Sequence, residues 1–239
     1  MYQNVILKQI PSQLRLSLNI KNVDRLFPGF ILGDFAVLHG SSALQSLLSS
    51  LCVRAQLPYQ LGGLETNVLF VDGSNSFRLY DVSTIAQTCE LDPRTVLGKI
   101  FVSRAFTAYQ LTSLIFEKLQ SNIEKYESKL VILSNLAQLF LDNDVSKKEA
   151  EEIFLQLTSY LASFAEKNRV ILVATQIPRS WSKRNRFFKD VLCSRANVVA
   201  SIRKFKHRPY FALEKHPFFK LGKAEFHSGA VTLADFLEA

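Results

Sequence analysis

Residues 68–105 read VLFVDGSNSFRLYDVSTIAQTCELDPRTVLGKIFVSRA, and this stretch decides the fold. A continuous apolar run at Val68–Asp72 predicts a buried strand, and a second run at Ile100–Val102 predicts another. Between them, residues 80–89 have helical spacing, and Asp92-Pro93 marks a turn. A strand, a helix and a strand in this order predict a βαβ unit with parallel strands.

The same alternation continues on both sides of this stretch. Apolar runs predict three further buried strands, at Phe35–His39, Leu130–Leu133 and Val170–Thr175. Helical spacing predicts helices over Ala43–Ala55, over Tyr109–Tyr126 and after the N-cap Ser146, which has Glu149 at the capping-box position. We therefore predict an α/β fold with a mostly parallel sheet flanked by helices.

The pattern changes after residue 190. Short strands at Val198–Lys204, Arg208–Leu213 and Lys223–Phe226 predict a C-terminal antiparallel extension of the sheet. We expect residues 1–28 to be a lead-in segment and residues 29–239 to form a single core domain. No linker or internal repeat interrupts it.

Composition excludes several classes of protein. Hydrophobic residues make up 48% and charged residues 21% of the 239 residues, which is enough to bury a core and argues against global disorder. No run reaches the roughly 18–20 apolar residues of a membrane helix, and no signal segment stands out. We expect a soluble cytoplasmic protein with no membrane partner. Three separated cysteines and four histidines show no metal-ligand spacing, so we expect no metal site.

Positive charge is concentrated in one segment. The net charge is +8, yet residues 1–178 are balanced, and residues 179–223 hold thirteen basic side chains against two acidic ones. Such a block favours a polyanion partner, most often a nucleic acid. The alternative is a solvated basic face that aids solubility.

Three motifs carry a family resemblance. The first is the strand ending in Asp72-Gly73 with Phe77-Arg78 after it, the second is Leu91-Asp92-Pro93, and the third is Arg104-Ala105 at the end of the next strand. In this order and spacing they resemble the RecA/RadA recombinase superfamily, above all its archaeal-type RadA branch. The resemblance implies a RecA-like core, and we expect no separate N-terminal DNA-binding domain, as in short paralogues.

The resemblance also implies a phosphate-binding loop of the pattern G-x-x-x-x-G-K-[ST], in which glycine N–H groups wrap phosphates and the lysine neutralises them. Counting from Gly40, the positions of the second Gly, the Lys and the hydroxyl hold Gln45, Ser46 and Leu47. With one residue deleted, Gln45 replaces the Lys and Ser46 keeps a hydroxyl. Neither alignment supplies the Lys.

The acidic positions of the family pattern are also changed. The Mg²⁺-positioning Asp at the end of the fourth strand is Ser134, and the Glu two residues beyond Asp72 is Ser74. Phosphoryl transfer depends on positioning and charge compensation, so we expect a pseudo-ATPase without catalytic residues or cofactor. We expect Asp72 to cap the following turn.

The resemblance places DNA at the loop after the fifth strand. Here the loop carries basic residues interleaved with aromatic ones, and a neighbouring helix end and hairpin extend it. The predicted DNA-binding residues are Arg179, Trp181, Lys183, Arg184, Arg186, Lys189, Arg195 and Arg203. Cations neutralise phosphates and rings stack on unpaired bases, a combination that suits single-stranded DNA. Trp181 fits a stacking or a core role equally, whereas Phe187 and Phe188 fit the core better.

Two hypotheses for function follow. The first is a non-catalytic recombinase paralogue that binds single-stranded DNA and assists homologous recombination or DNA repair, in the nucleoid or nucleus. The second is a scaffold subunit that binds a RadA-type recombinase or homologous paralogue, as an oligomer, without a direct DNA role. A residual or signalling ATPase is a third alternative.

Overall fold

The structure is a computed structural model, and it describes residues 14–142, 144–177, 182–205 and 208–226. Two sheets are present in this part of the chain. The small one joins β1 (Arg15–Leu16) to β2 (Phe30–Ile31). The strands of the large one are β3 (Phe35–Gly40), β4 (Asn67–Asp72), β5 (Ile100–Arg104), β6 (Ser128–Ser134), β7 (Ile171–Gln176), β8 (Val198–Phe205), β9 (Arg208–Lys215) and β10 (Gly222–Glu225).

Eight α-helices connect and cover the strands in the described residues. They are α1 (Lys21–Leu26), α2 (Leu44–Arg54), α3 (Leu79–Thr88), α4 (Pro93–Gly98), α5 (Ala108–Ser113), α6 (Leu119–Lys125), α7 (Lys147–Asn168) and α8 (Lys183–Arg195). A π turn, Leu114–Lys118, joins α5 to α6 in one continuous helical segment. The predicted caps are present, since Ser146 accepts a hydrogen bond from the Glu149 N–H. Asp92 also caps the unpredicted helix α4, with Pro93 at its first position.

The large sheet has the order β10-β9-β8-β3-β7-β6-β4-β5. Its six strands from β8 to β5 are parallel, which confirms the α/β prediction. The predicted C-terminal antiparallel extension is confirmed, because β9 pairs antiparallel with β8 and β10 pairs antiparallel with β9. On its other side β8 pairs parallel with β3, which the sequence did not predict. The physical reason is α8, which serves as the crossover helix between β7 and β8.

Two apolar layers enclose the sheet. Alternate residues of the strands point to opposite faces, so Ala36 and Leu38 face one layer while Phe35 and Val37 face the other. Helices α2, α3 and α4 pack on the first face, and α5, α6, α7 and α8 on the second. This arrangement is a three-layer core of the RecA type.

The segment before β2 packs against the first layer. Leu16, Leu18 and Phe27 are fully buried there, and the Arg54 guanidinium donates hydrogen bonds to the carbonyl oxygens of Ser17 and Leu61. Residues 14–28 therefore contribute apolar side chains to the core, and the remaining lead-in lies outside the described residues.

Candidate functional site: the carboxyl edge of the parallel sheet

Parallel strands bring their carboxyl ends to one edge of the sheet, and the candidate residues meet there. Gly40 ends β3, Asp72 ends β4, Ser134 ends β6 and Gln176 ends β7. The edge has two parts. One is the set of positions that the phosphate-loop pattern predicts, and the other is a cleft beneath α8.

The turn after β3 is short and uses its own donors. Only three residues separate Gly40 from α2. The Ser41 N–H donates to the Ile202 carbonyl at 2.9 Å, and the Gln45 N–H donates to the Ser42 carbonyl at 3.0 Å. These two N–H groups, which a phosphate loop would offer to a ligand, are thus bonded within the chain.

Gly40 is required by this turn. Its φ is +124°, and a Cβ atom there would lie 2.2 Å from the Ile202 carbonyl oxygen. The glycine therefore serves a close approach of two backbones, β3 and β8, rather than an approach to phosphate.

Gln45, which stands at the lysine position if one residue of the phosphate-loop pattern is deleted, contacts an arginine from another segment. Gln45 accepts a hydrogen bond of 2.6 Å from the Arg78 guanidinium, which also lies 3.5 Å from Asp81. Ser46 follows Gln45 in the first turn of α2. Sequence reasoning did not place Arg78 at this site, because Gln45 and Arg78 are far apart along the chain.

Asp72 caps the turn that follows β4, as predicted. The side chain is fully buried, and its oxygens accept hydrogen bonds from the N–H groups of Ser74, Ser76 and Phe77 at 2.9–3.2 Å. The Ser76 hydroxyl contacts Asp72 and also Ser134. Because every carboxylate oxygen already has donors, Asp72 has little capacity left for a metal ion or a water.

Ser74 and Ser134 lie in the same neutral network. The Ser74 hydroxyl accepts from the Asn135 amide at 2.9 Å, and the Asn135 side-chain oxygen accepts from the Ile177 N–H at 3.0 Å. The Asn135 N–H donates to the Thr175 hydroxyl at 3.0 Å. Hydroxyls and amides thus take the places where the family pattern expects carboxylates, and they satisfy one another. These residues do not fit a Mg²⁺-bound nucleoside triphosphate.

The basic segment forms a helix where the sequence predicted a loop. From Lys183 onward the chain is α8, which begins at the N-cap Ser182, whose hydroxyl accepts from the Asn185 N–H at 3.1 Å. The loop prediction was wrong here, because Phe188 and Leu192 lie on one helical face and are buried against α7 and the sheet. Phe188 is fully buried and packs edge-on against Phe154, so the core interpretation of Phe187 and Phe188 is confirmed.

The first turn of α8 is unusual in its charge. It holds Lys183, Arg184 and Arg186 and no acidic residue. The N-terminal end of a helix carries partial positive charge, so each nearby cation is disfavoured by about 0.3–1 kcal/mol at the surface. A bound anion would remove this repulsion.

A cleft of about 540 Å³ lies between this end of α8 and the sheet edge. Strand ends contribute His39, Gly40, Ser41, Gln176, Ile202 and Arg203 to its lining. The helix contributes Ser182, Asn185, Arg186, Lys189 and Asp190. The volume is within the range of roughly 300–1,000 Å³ that is common for small-molecule sites.

The predicted DNA-binding residues divide among several places. Arg186 and Lys189 line the cleft on successive turns of α8, and Arg203 lines it from β8. Arg184 turns away and donates to the Val145 carbonyl at 3.3 Å, while Lys183 and Arg195 lie exposed at the two ends of the helix. Arg179 and Trp181 lie outside the described residues.

Arg203 belongs to a polar cluster behind the cleft. Its guanidinium lies 2.7 Å from Glu214, which also accepts from the Ser201 hydroxyl and lies 2.7 Å from His39 Nε2. Partial burial favours the neutral acid, but the hydrogen bonds of His39 and Ser201 and the charges of His39 and Arg203 lower the pKa of Glu214 to about 2. Arg203 is therefore neutralised, and Arg186 and Lys189 make no salt bridge to any described residue.

Other kinds of site lack support in the described ranges. No group of three His, Cys, Asp or Glu side chains there could hold a metal ion. In the same part of the chain, no helix combines the length and the apolar character needed to cross a membrane.

Comparison with known proteins agrees with the three-layer core. The sequence model of the Rad51 family matches residues 14–186. The meiotic recombination protein DMC1 of Saccharomyces cerevisiae is 25% identical over 154 residues, which cover 64% of this chain and 43% of that protein. The DNA repair and recombination protein RadA of Cenarchaeum symbiosum is 30% identical over 154 residues, which cover 63% of this chain and 37% of that protein.

The chain belongs to the Rad51 family, within the RecA/RadA recombinase superfamily, because the family match covers more than half of it. It spans about two fifths of the length of the two relatives named above.

Proposed function

We propose that this protein is a non-catalytic recombinase paralogue that binds single-stranded DNA at the N-terminal end of α8 and assists homologous recombination or DNA repair. The observation that carries the proposal is the set of cations in the first turn of α8, which no acidic residue of that turn balances. The names of the two relatives, which refer to meiotic recombination and to DNA repair, support the same biological setting.

The proposal excludes ATP hydrolysis by this chain alone. The lysine position holds Ser46 or, with one residue deleted, Gln45, so neither alignment supplies a lysine. Ser74 and Ser134 stand at the two acidic positions, where they are bonded within the protein. Transfer of a phosphoryl group relies on cations and on an oriented water, and this edge supplies neither in the family's arrangement.

Backbone recognition is the favoured mode of DNA binding. Arg186 and Lys189 are about one helical turn apart on the cleft side, close enough together for both to contact the phosphate backbone of a flexible strand. Arg195 lies exposed in the last turn of α8, nine residues and about half a turn round the helix from Arg186, so it is not part of this surface. No element with a sequence-reading role is evident in this arrangement, so affinity depends on charge rather than on base sequence.

The test is a titration of a fluorescent single-stranded oligonucleotide at several salt concentrations, with and without ATP and Mg²⁺. We expect saturable binding whose log affinity falls linearly with log salt and does not respond to ATP. Phosphate release from ATP should equal the buffer background. Absence of binding at low salt would overturn the DNA role, and ATP turnover would overturn the non-catalytic role.

A protein partner is the second candidate function. Strand β5 is the last strand of the large sheet, and β4 is its sole strand neighbour among the described residues. Val102 on β5 and Phe106 just after it are exposed to 37% and 70%. An open strand edge beside exposed apolar residues can accept a strand from another chain, so we propose it as the contact for a RadA-type recombinase or a homologous paralogue.

Phe106→Ala and Val102→Lys test this second candidate. Either change should weaken binding to an added RadA-type recombinase in a pull-down and leave oligonucleotide binding unchanged. Loss of both activities together would instead indicate unfolding, which a thermal melt of each variant would reveal.

A further inference from the structure

The α8 cleft contains buried polar groups that lack partners. Gln176 is 95% buried, and its side-chain oxygen has no hydrogen-bond partner among the described residues. The Ser41 hydroxyl, which lines the same cleft, is likewise buried and unpartnered in this part of the chain. A buried polar atom left unpaired destabilises a protein, so two at one cleft indicate groups that a ligand completes.

The unpaired atoms specify what the ligand must offer. The Gln176 amide nitrogen already points to Asn185, which leaves Gln176 with an acceptor that needs an N–H or O–H donor. The Ser41 hydroxyl can donate or accept. Arg186 and Lys189 on the opposite wall require an anion. The ligand therefore combines a neutral hydrogen-bond donor with a negatively charged group, within a space of about 540 Å³.

We propose that the cleft binds one nucleotide unit, with the phosphate on Arg186 and Lys189 and a donor group of the base or sugar on Gln176 and Ser41. This inference rests on the proposed function, and it adds that a single nucleotide leaves the strand surface and enters the protein. Two ligands offer this combination of a phosphate and a hydrogen-bond donor: a free mononucleotide and a nucleotide of a bound strand.

The site differs from a nucleoside triphosphate site on a phosphate loop. One wall is α8, and the cations come from α8 and not from α2. The Ser41 and Gln45 N–H groups donate to the Ile202 and Ser42 carbonyls, so these two donors are not available to this ligand. Among the described residues of the lining, Arg186 and Lys189 make no salt bridge and Asp190 is the acidic side chain beside them, a charge balance that suits one phosphate rather than three.

Ser41→Ala and Ser50→Ala provide a matched pair of variants. Both hydroxyls are buried and lack a partner among the described residues, but Ser50 lies within α2, away from the cleft. Neither substitution removes a hydrogen bond of the free protein, so both variants should fold as the wild type does. A thermal melt of each checks this directly.

The experiment is calorimetric titration with thymidine 5′-monophosphate, with thymidine as the probe that lacks the phosphate, and with oligothymidylate. We expect the monophosphate to bind saturably. Ser41→Ala should weaken its binding about five-fold, the effect of one hydrogen bond of about 1 kcal/mol, and Ser50→Ala should have no effect. Thymidine should bind at least about ten-fold more weakly than the monophosphate, because the charge-assisted bonds are lost.

Competition between the monophosphate and oligothymidylate identifies the source of the bound nucleotide. If saturating oligothymidylate abolishes monophosphate binding, the cleft receives a nucleotide of the strand, and if both bind together, the cleft serves a free mononucleotide. Wild-type affinity of Ser41→Ala for both the monophosphate and oligothymidylate would overturn the inference and leave DNA binding by α8 intact. Failure of oligothymidylate to bind the wild type at low salt would instead count against the proposed function.

Discussion

Two neighbouring parts of one sheet edge differ in how they satisfy their polar groups. Around Asp72, Ser74 and Ser134, side-chain donors and acceptors meet within the chain. Beneath α8, a few residues away, Gln176 and Ser41 keep unpaired atoms, and Arg186 and Lys189 lack salt bridges within the described residues. The polar groups of the first region are satisfied within the protein. The second region has unpaired cations and unpaired hydrogen-bonding atoms, which is typical of a binding site.

This difference in hydrogen bonding indicates which part of the sheet edge is available to a ligand. A catalytic edge must keep carboxylates and backbone donors available for ligand, at a cost in stability. When Ser74 and Ser134 replace acidic groups, that cost disappears, and the network becomes part of the scaffold. The cationic start of α8 keeps such a cost, which is why we propose a binding site there.

The largest expected effect concerns the region around Asp72. Asp72→Asn replaces a buried acceptor of backbone N–H groups with an amide whose nitrogen faces those donors. We expect the free energy of unfolding to fall by about 2–4 kcal/mol in chemical denaturation, because hydrogen bonds to a charged group are lost.

Asp92→Asn is the matched control for this substitution. Asp92 also accepts from backbone and hydroxyl donors, but it is an exposed N-cap, where Asn serves about as well as Asp. Its variant should unfold like the wild type. Equal losses in the two variants would contradict a special role of the Asp72 network.

A smaller effect is expected behind the cleft, at Glu214. Its pKa is lowered from 4.5 to about 2, so the ionised form stabilises the native state above pH 4.5, and this contribution is lost as the pH falls toward 2. Glu214→Gln should reduce stability by about 1 kcal/mol at pH 7, since the side chain is partly exposed. Urea denaturation at pH 7, 5 and 3 should show the difference from wild type shrinking at the lowest pH.

The smallest effect is expected from restoring a single family residue. Gln45→Lys adds a lysine at one of the possible phosphate-loop alignments, yet the turn after Gly40 remains three residues long and the acidic positions remain serines. We expect no phosphate release from ATP in a coupled assay. Measurable ATP hydrolysis by this variant would show that the carboxyl edge of the sheet can still bind and position ATP, in spite of its internal hydrogen bonds.

Much of this organisation could be predicted from the sequence. The parallel core followed from apolar runs such as Val68–Asp72 and Leu130–Leu133, and the capping role of Asp72 followed from its place at a strand end. These features depend on local pattern, which a sequence displays directly.

Other features depend on contacts that are distant along the chain. The segment that forms α8 was predicted as a loop because its first turn is polar and charged. The helical spacing of the buried residues Phe188 and Leu192 was therefore missed. The hydrogen bond between Arg78 and Gln45 joins two segments that are far apart along the chain. A local sequence pattern does not show that such segments are close in space. The parallel pairing of β8 with β3 could be inferred only after the structure showed that the helix α8 connects β7 to β8.

The most direct test of the central claim compares salt dependence in two double variants. Arg186→Ala with Lys189→Ala removes the cations of the cleft, and Lys118→Ala with Lys125→Ala removes the same charge from the α5–α6 segment. Log affinity for a single-stranded oligonucleotide should depend on log salt with a slope reduced by about 1.4 in the first variant, and unchanged in the second. Equal slopes in the two variants would contradict DNA binding at α8.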